Sequence, residues 1–90
     1  MVAMWYVYVL RGENKKYVGV TQNLRQRIQN HQAGNTHSTA RMGKLQLILY
    51  EAFLSKSDAY RQEKFYKTGY GREVLDKKLE DTLNMYSGFV

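Results

Sequence analysis

Residues 6–20 read YVYVLRGENKKYVGV, two runs of β-branched and aromatic residues separated by Gly12-Glu13-Asn14-Lys15. The runs favour an extended chain and the link supplies turn chemistry, so the pair predicts an antiparallel hairpin with a four-to-six-residue connection. Along the first run Trp5, Val7 and Val9 face one side, and Tyr6, Tyr8 and Leu10 the other. Neither side is polar, so both faces of this strand must be covered.

The rest of the chain can provide that cover. Thr21 and Asn23 are both competent N-caps, and LRQRIQNHQAG has helical spacing up to a stop at Gly34, which predicts a helix over 24–33. The polar, small-residue segment 35–44 reads as a mobile loop, and LQLILYEAF at 45–53 as a buried third strand. Ser55 and Asp58 have the form of a capping box ahead of AYRQEKFYK, with a second stop at Gly69. After Gly71, REVLDKKLEDTL places Val74, Leu75, Leu79 and Leu83 on one stripe, with Lys77, Lys78, Glu80 and Asp81 outside. The expectation is a single α+β domain over residues 1–90, a three-stranded antiparallel sheet flanked by helices in the order ββαβαα.

Fourteen Lys and Arg against eight Asp and Glu give a net charge of +6, which favours an anionic partner, with nucleic acid first. The basic residues do not gather on a helix with a broad apolar face, so a membrane partner is not expected. The absence of cysteine excludes thiol nucleophiles, disulfide frameworks and Cys-type zinc sites. The N-terminal apolar run is too short to span a bilayer and has no cleavage pattern after it; a cytoplasmic location is expected by default.

Three kinds of residue stand out. Arg27 and His31 are one turn apart, close to the line of Leu24 and Ile28 that must anchor the first helix; a snorkelling rim would account for them. Glu63 interrupts the apolar stripe of the second helix between Ala59 and Tyr66, and a carboxylate there needs an ion pair, hydrogen bonds or a cation. The eight tyrosines need no chemistry, because Tyr serves well in strands and interfaces.

Taken together these residues resemble the GIY-YIG endonuclease family, and its small stand-alone members above all, from Trp5 to about Leu79. Tyr6-Val7-Tyr8 stands at the first signature triplet, with Tyr6 in the glycine's place, and Tyr17-Val18-Gly19 at the second. TQNLRQRIQNHQAG is similar to the family's first helix, placing its arginine at Arg27 in preference to Arg25, and its histidine at His31. LILYEAFLSKSDAYRQEKFYK resembles the third strand and second helix, where the metal-binding glutamate falls on Glu63.

The resemblance implies hydrolysis of DNA phosphodiesters with a divalent cation, Mg²⁺ or alternatively Mn²⁺, held by Glu63. Arg27 suits the non-bridging oxygens as charge builds on them. Tyr8 is the first candidate to take a proton from water, its phenolate favoured by Arg27 and the cation; Tyr17 orients water or phosphate, and His31 shares or replaces the base role. Lys15, Lys16, Arg41, Lys44, Lys64, Lys67 and Arg72 are candidate phosphate contacts, and Thr36, His37, Ser38 and Thr39 could close over the strand from a flexible segment. So small a domain leaves little surface for base readout, so recognition of DNA structure or weak specificity is expected unless a homodimer or protein partner directs it. The rival readings are a non-catalytic nucleic-acid-binding module and a protein-interaction domain with a tyrosine docking surface.

Overall fold

A computed structural model describes residues 3–87. The hairpin is present: β1 (Trp5–Arg11) pairs antiparallel with β2 (Lys16–Thr21), and Gly12 N–H donates to Lys15 C=O across the turn. β3 (Gln46–Phe53) pairs antiparallel with the other side of β1, giving the order β2-β1-β3. With β1 in the middle, its alternation sorts the core into two layers. Val7, Val9 and Val18 pack on one face with Ala59, Tyr66, Leu75 and Leu79, while Tyr8 and Leu10 pack on the other with Met42, Leu45, Leu24 and Ile28.

Each face has its own helices. α1 (Leu24–Gln32) covers the Tyr8 face; its first turn is capped by Asn23, whose side chain accepts from Gln26 N–H, while Thr21 Oγ1 accepts from Asn23 N–H. Gly34, with φ +78°, ends it, in the left-handed conformation where a side chain would be strained. α2 (Lys56–Tyr66) lies on the opposite face against all three strands, capped by Ser55, which accepts from Asp58 N–H. α3 (Gly69–Lys78) and α4 (Glu80–Ser87) follow on the same side.

Four expectations are corrected. β3 is an edge strand with no fully buried residue and with Tyr50 55% exposed, because β1 takes the central place. Gly69 starts α3 and does not stop α2: the chain turns at Lys67, and the Thr68 side chain caps the next helix by accepting from Gly71 N–H. The final helical stretch breaks at Leu79 into α3 and α4, so the order is ββαβααα. The 35–44 segment is anchored and not a loose loop. It contains a 3-10 turn at His37–Thr39, buries Thr39 and Met42, and fastens to the hairpin through Glu13 N–H to Met42 C=O at 2.8 Å.

The α2–α3 corner is tight enough to separate two glycines two positions apart. A Cβ on Gly71 would overlap Phe65 O, a backbone atom that cannot yield locally, whereas one on Gly69 would meet nothing within 4 Å. Gly71→Ala is therefore expected to lower unfolding stability by about 3 kcal/mol, at the upper end of overpacking costs. Gly69→Ala should leave it unchanged or raise it by up to about 1 kcal/mol through helix propensity. Urea unfolding of the two variants checks both.

Candidate active site

Tyr8 is 0% exposed, and a buried hydroxyl needs a partner inside the protein. It has one in His31 Nε2 at 2.8 Å, and His31 Nδ1 is 2.8 Å from Thr39 Oγ1, making a buried chain from strand to helix to loop. Local sequence builds each link. Alternation points Tyr8 toward α1, helical spacing brings His31 down on the side of Leu24 and Ile28, and the 3-10 turn carries Thr39 beneath the imidazole. Room for the phenol comes from Gly19, its partner across the β1–β2 pair, where a Cβ would lie 2.5 Å from the Tyr8 hydroxyl oxygen.

Tyr17 and Arg27 complete the cluster. The Tyr17 ring lies 6.2 Å from that of Tyr8 and 5.1 Å from His31, centroid to centroid. The Arg27 charge is close enough to act on the Tyr8 hydroxyl, while the residue as a whole remains exposed. Four of the five candidate catalytic residues are thus brought together on one face.

The electrostatics of the cluster follow from burial. It pushes the Tyr8 pKa upward, and the nearby Tyr17 adds to the rise; Arg27 opposes both and is outweighed. Burial thus works against the phenolate expected at Tyr8, and Arg27 alone does not offset it. Burial also lowers the His31 pKa, with the Arg27 charge acting in the same direction, so the imidazole is neutral at pH 7. Two hydrogen-bond patterns then satisfy the chain: Tyr8 O–H donates to Nε2 while Nδ1–H donates to Thr39, or Thr39 O–H donates to Nδ1 while Nε2–H donates to Tyr8.

Glu63 stands apart from these four. It projects from α2 with its side chain 17% exposed and is ion-paired to Lys67 at 3.0 Å; among the described residues it makes no hydrogen bond to the cluster. Its neighbours along α2 bracket it. Tyr60, one turn earlier, packs against Trp5 at the Thr21 end of the hairpin, and Lys67, one turn later, lines a groove with Tyr17 and Val18. On α2, Glu63 falls between these two contacts, on the face of the sheet opposite the Tyr8 hydroxyl.

That groove, about 680 Å³ in volume, also gathers Lys15, Lys16 and Arg72, although Lys16 is ion-paired to Asp76 at 2.8 Å. Lys15 and Arg41 line a neighbouring cavity of about 420 Å³ with His37 and Ser38. Lys44 and Lys64 are exposed and line neither.

Sequence reasoning missed the strongest polar network of the other face. Glu51 on β3 accepts from Tyr66 at 2.8 Å, Gln62 at 3.1 Å and Lys78 at 2.9 Å, and Lys78 also donates to the Tyr66 hydroxyl. Burial works to raise the Glu51 pKa, but the bonds from Lys78, Gln62 and Tyr66 outweigh it and hold the pKa down. Lys78, expected on the outer face, is thus a tie between α3 and the sheet.

The chain matches the family model described as "GIY-YIG catalytic domain" over residues 4–78. It is 36% identical over 75 residues to a UPF0213 protein of Pediococcus acidilactici, covering 79% of this chain and 76% of that one. It is 34% identical over 82 residues to a UPF0213 protein of Staphylococcus haemolyticus, covering 89% and 99% respectively. No solved structure gives a significant match. Among the described residues no helix is long and apolar enough to cross a membrane.

Two outcomes test the cluster. Gly19→Ala drives a Cβ into the Tyr8 phenol and should cost about 1–3 kcal/mol while separating Tyr8 from His31; a return of the His31 pKa toward its ordinary value in an NMR titration would register the separation. The depressed His31 pKa also has a stability consequence. Below about pH 6.5 the unfolded chain takes up a proton that the folded chain resists, so this contribution is complete above that pH and is lost as pH falls toward the folded value. Urea unfolding between pH 8 and pH 5 should show this decline, and His31→Gln, which keeps hydrogen-bonding groups but does not titrate, should remove that part of the slope.

Proposed function

Because the chain belongs to the GIY-YIG family, a nuclease family, we propose that it is a metal-dependent endonuclease that hydrolyses DNA phosphodiester bonds. The observation that carries the reading is the buried Tyr8–His31–Thr39 chain beside Arg27 and Tyr17. In the pattern where Tyr8 donates to Nε2, the phenol oxygen still has lone pairs to offer. Tyr8 accepts a proton from the attacking water, which has to be admitted to the covered hydroxyl beside Arg27 when substrate binds, as its own proton passes to His31, so no free phenolate accumulates at a site that disfavours one. With Thr39 accepting from Nδ1–H, Nε2 is the nitrogen open to that proton. Tyr17 orients the water or the phosphate, and Arg27, always charged, meets the non-bridging oxygens as negative charge builds.

The residues present fit a divalent cation of a particular kind. Among the described residues no three His, Asp or Glu converge, so a closed protein cage is absent there. Glu63 instead offers one largely covered carboxylate whose single partner, the ammonium of Lys67, is half exposed and stands where a cation would. That donor set suits Mg²⁺ or Mn²⁺, which keep several waters and bind one carboxylate together with substrate phosphate. When bound, the ion supplies charge neutralisation at the phosphate and leaving oxygen. Lys15, Lys16, Lys67 and Arg72 along the groove, with Arg41 beyond them, guide the phosphate backbone toward the β2 edge; Lys44 and Lys64 add outlying contacts.

Plasmid nicking with Mg²⁺ or Mn²⁺ tests the reading. Wild type is expected to nick, and Glu63→Ala, Arg27→Ala and Tyr8→Phe each to lose at least about 100-fold in rate. Binding without nicking by wild type would replace this reading with a non-catalytic nucleic-acid module.

A further inference from the structure

The charge of this chain is confined to one part of it. Residues 14–50 hold six Lys and Arg with no Asp or Glu, whereas the other eight Lys and Arg are matched by all eight acidic residues. The entire net charge of +6 therefore belongs to the segment that builds β2, α1, the 3-10 turn and most of β3. α1 lies at its centre.

The composition of α1 differs from that of a helix that only meets water. Such a helix gains from Glu–Lys pairs one turn apart, and α1 has no acid with which to make one. Its exposed side chains are Arg25, Gln26, Gln29 and Gln32, with Arg27 on the flank toward the cluster. The Gln26 amide donates to Asn30 Oδ1 at 3.1 Å, which fixes its orientation; the side chains of Arg25, Gln29 and Gln32 make no hydrogen bond or ion pair among the described residues. Arginine and the carboxamides are the side chains that pair bidentately with base edges, Arg with guanine and Gln with adenine.

Size and continuity agree. An α-helix about 10–12 Å across fits a major groove about 12 Å wide. Nine residues span roughly 13.5 Å, or about four base-pair steps. The flanks of a helix in that groove meet the phosphates, and the flank of α1 carries Arg27. Base reading and phosphate contact would thus be held at a fixed offset by one rigid element. A-form RNA, whose major groove is deep and narrow, excludes this docking.

We propose that the exposed side of α1, with Gln26 outermost and Arg25 and Gln29 on the flank beside Tyr50, enters the major groove of B-form DNA and reads bases beside the cleaved phosphate. Cleavage at that phosphate rests on the nuclease reading; the docking does not.

The test keeps the two apart by using the full chain on a randomised duplex DNA library, sequencing molecules cut in Mg²⁺ and, separately, molecules retained in EDTA. Wild type should enrich a motif of about three or four base pairs. Gln26→Ala and Gln29→Ala should each lose about tenfold preference at one position and leave the others in place. Arg25→Lys should keep the salt dependence of binding, since the charge is unchanged, and lose a guanine preference, since the fork is gone. Three results overturn the proposal: no enriched position, a motif that survives all three substitutions, or equal enrichment from single-stranded or RNA libraries. A motif retained in EDTA without cutting would sink the nuclease reading and support the docking, whereas cutting indifferent to α1 would do the reverse. Neither binding nor cutting would end both.

Discussion

A phenol cannot be buried without a partner for its hydroxyl, and in this chain that requirement fixes where α1 and the following loop must sit. Tyr8 lies in the fully covered stretch Val7–Leu10 of the central strand, so its oxygen has to be met from within. Gly19 leaves space for the ring on β2, His31 meets the oxygen from α1, and Thr39 takes the far side of the imidazole. Leu24 and Ile28 add apolar area to the same contact but no direction, because hydrophobic burial is non-directional. Hairpin, helix and loop are registered on one another by this buried hydrogen-bonded line, with the Glu13–Met42 bond as a second tie between hairpin and loop.

The parts of this architecture that could be read from the sequence are those with a local period or a local cap. The alternation of β1, the four-residue turn, the 24–33 helix and the Ser55 cap all carry their signal within a few residues, and the three-stranded sheet with its helices follows from them. What was not legible depends on partners distant in sequence. LQLILYEAF has the composition of a central strand, and only the pairing order makes it an edge. Gly69 has the form of a stop until the Thr68 hydroxyl, by accepting from Gly71, turns it into a helix start. Thr39 and Met42 look like loop residues because nothing near them in sequence announces the pocket that buries them. In the site, Arg27 and His31 were legible from i, i+4 spacing and resemblance, but the burial that opposes ionisation of Tyr8 was not, since it depends on residues distant in sequence.

The two carboxylates on either side of α2 illustrate how surroundings separate structure from chemistry. Glu51 is engaged by three donors from β3-facing positions of α2 and α3, and removing any of them would leave a covered charge short of partners. It is committed to holding helices on the sheet. Glu63 is covered to a similar degree but among the described residues has one partner, a lysine four residues on whose side chain is 51% exposed. Helical i, i+4 pairs are worth only about 0.2–0.5 kcal/mol. Glu63 is thus held by a weak pairing, and the proposed cation would have only the Lys67 ammonium to replace there.

The high pKa of Tyr8 looks at first like an obstacle to base chemistry, and in the proposed mechanism it is an asset. A phenol that ionised easily would be a weak proton acceptor, and one that had to ionise beforehand would rarely be ready at neutral pH. Sharing its proton with His31 removes both difficulties, because the phenol gives up one proton only as it gains another. That arrangement needs an imidazole that is neutral at rest, and the burial that raises Tyr8 also lowers His31, with the Arg27 charge assisting. The imidazolium formed in the step is then disfavoured in the empty site but faces a phosphate gaining negative charge when substrate is present. The same covered environment that keeps the pair inert alone makes its proton transfer depend on an anion beside it.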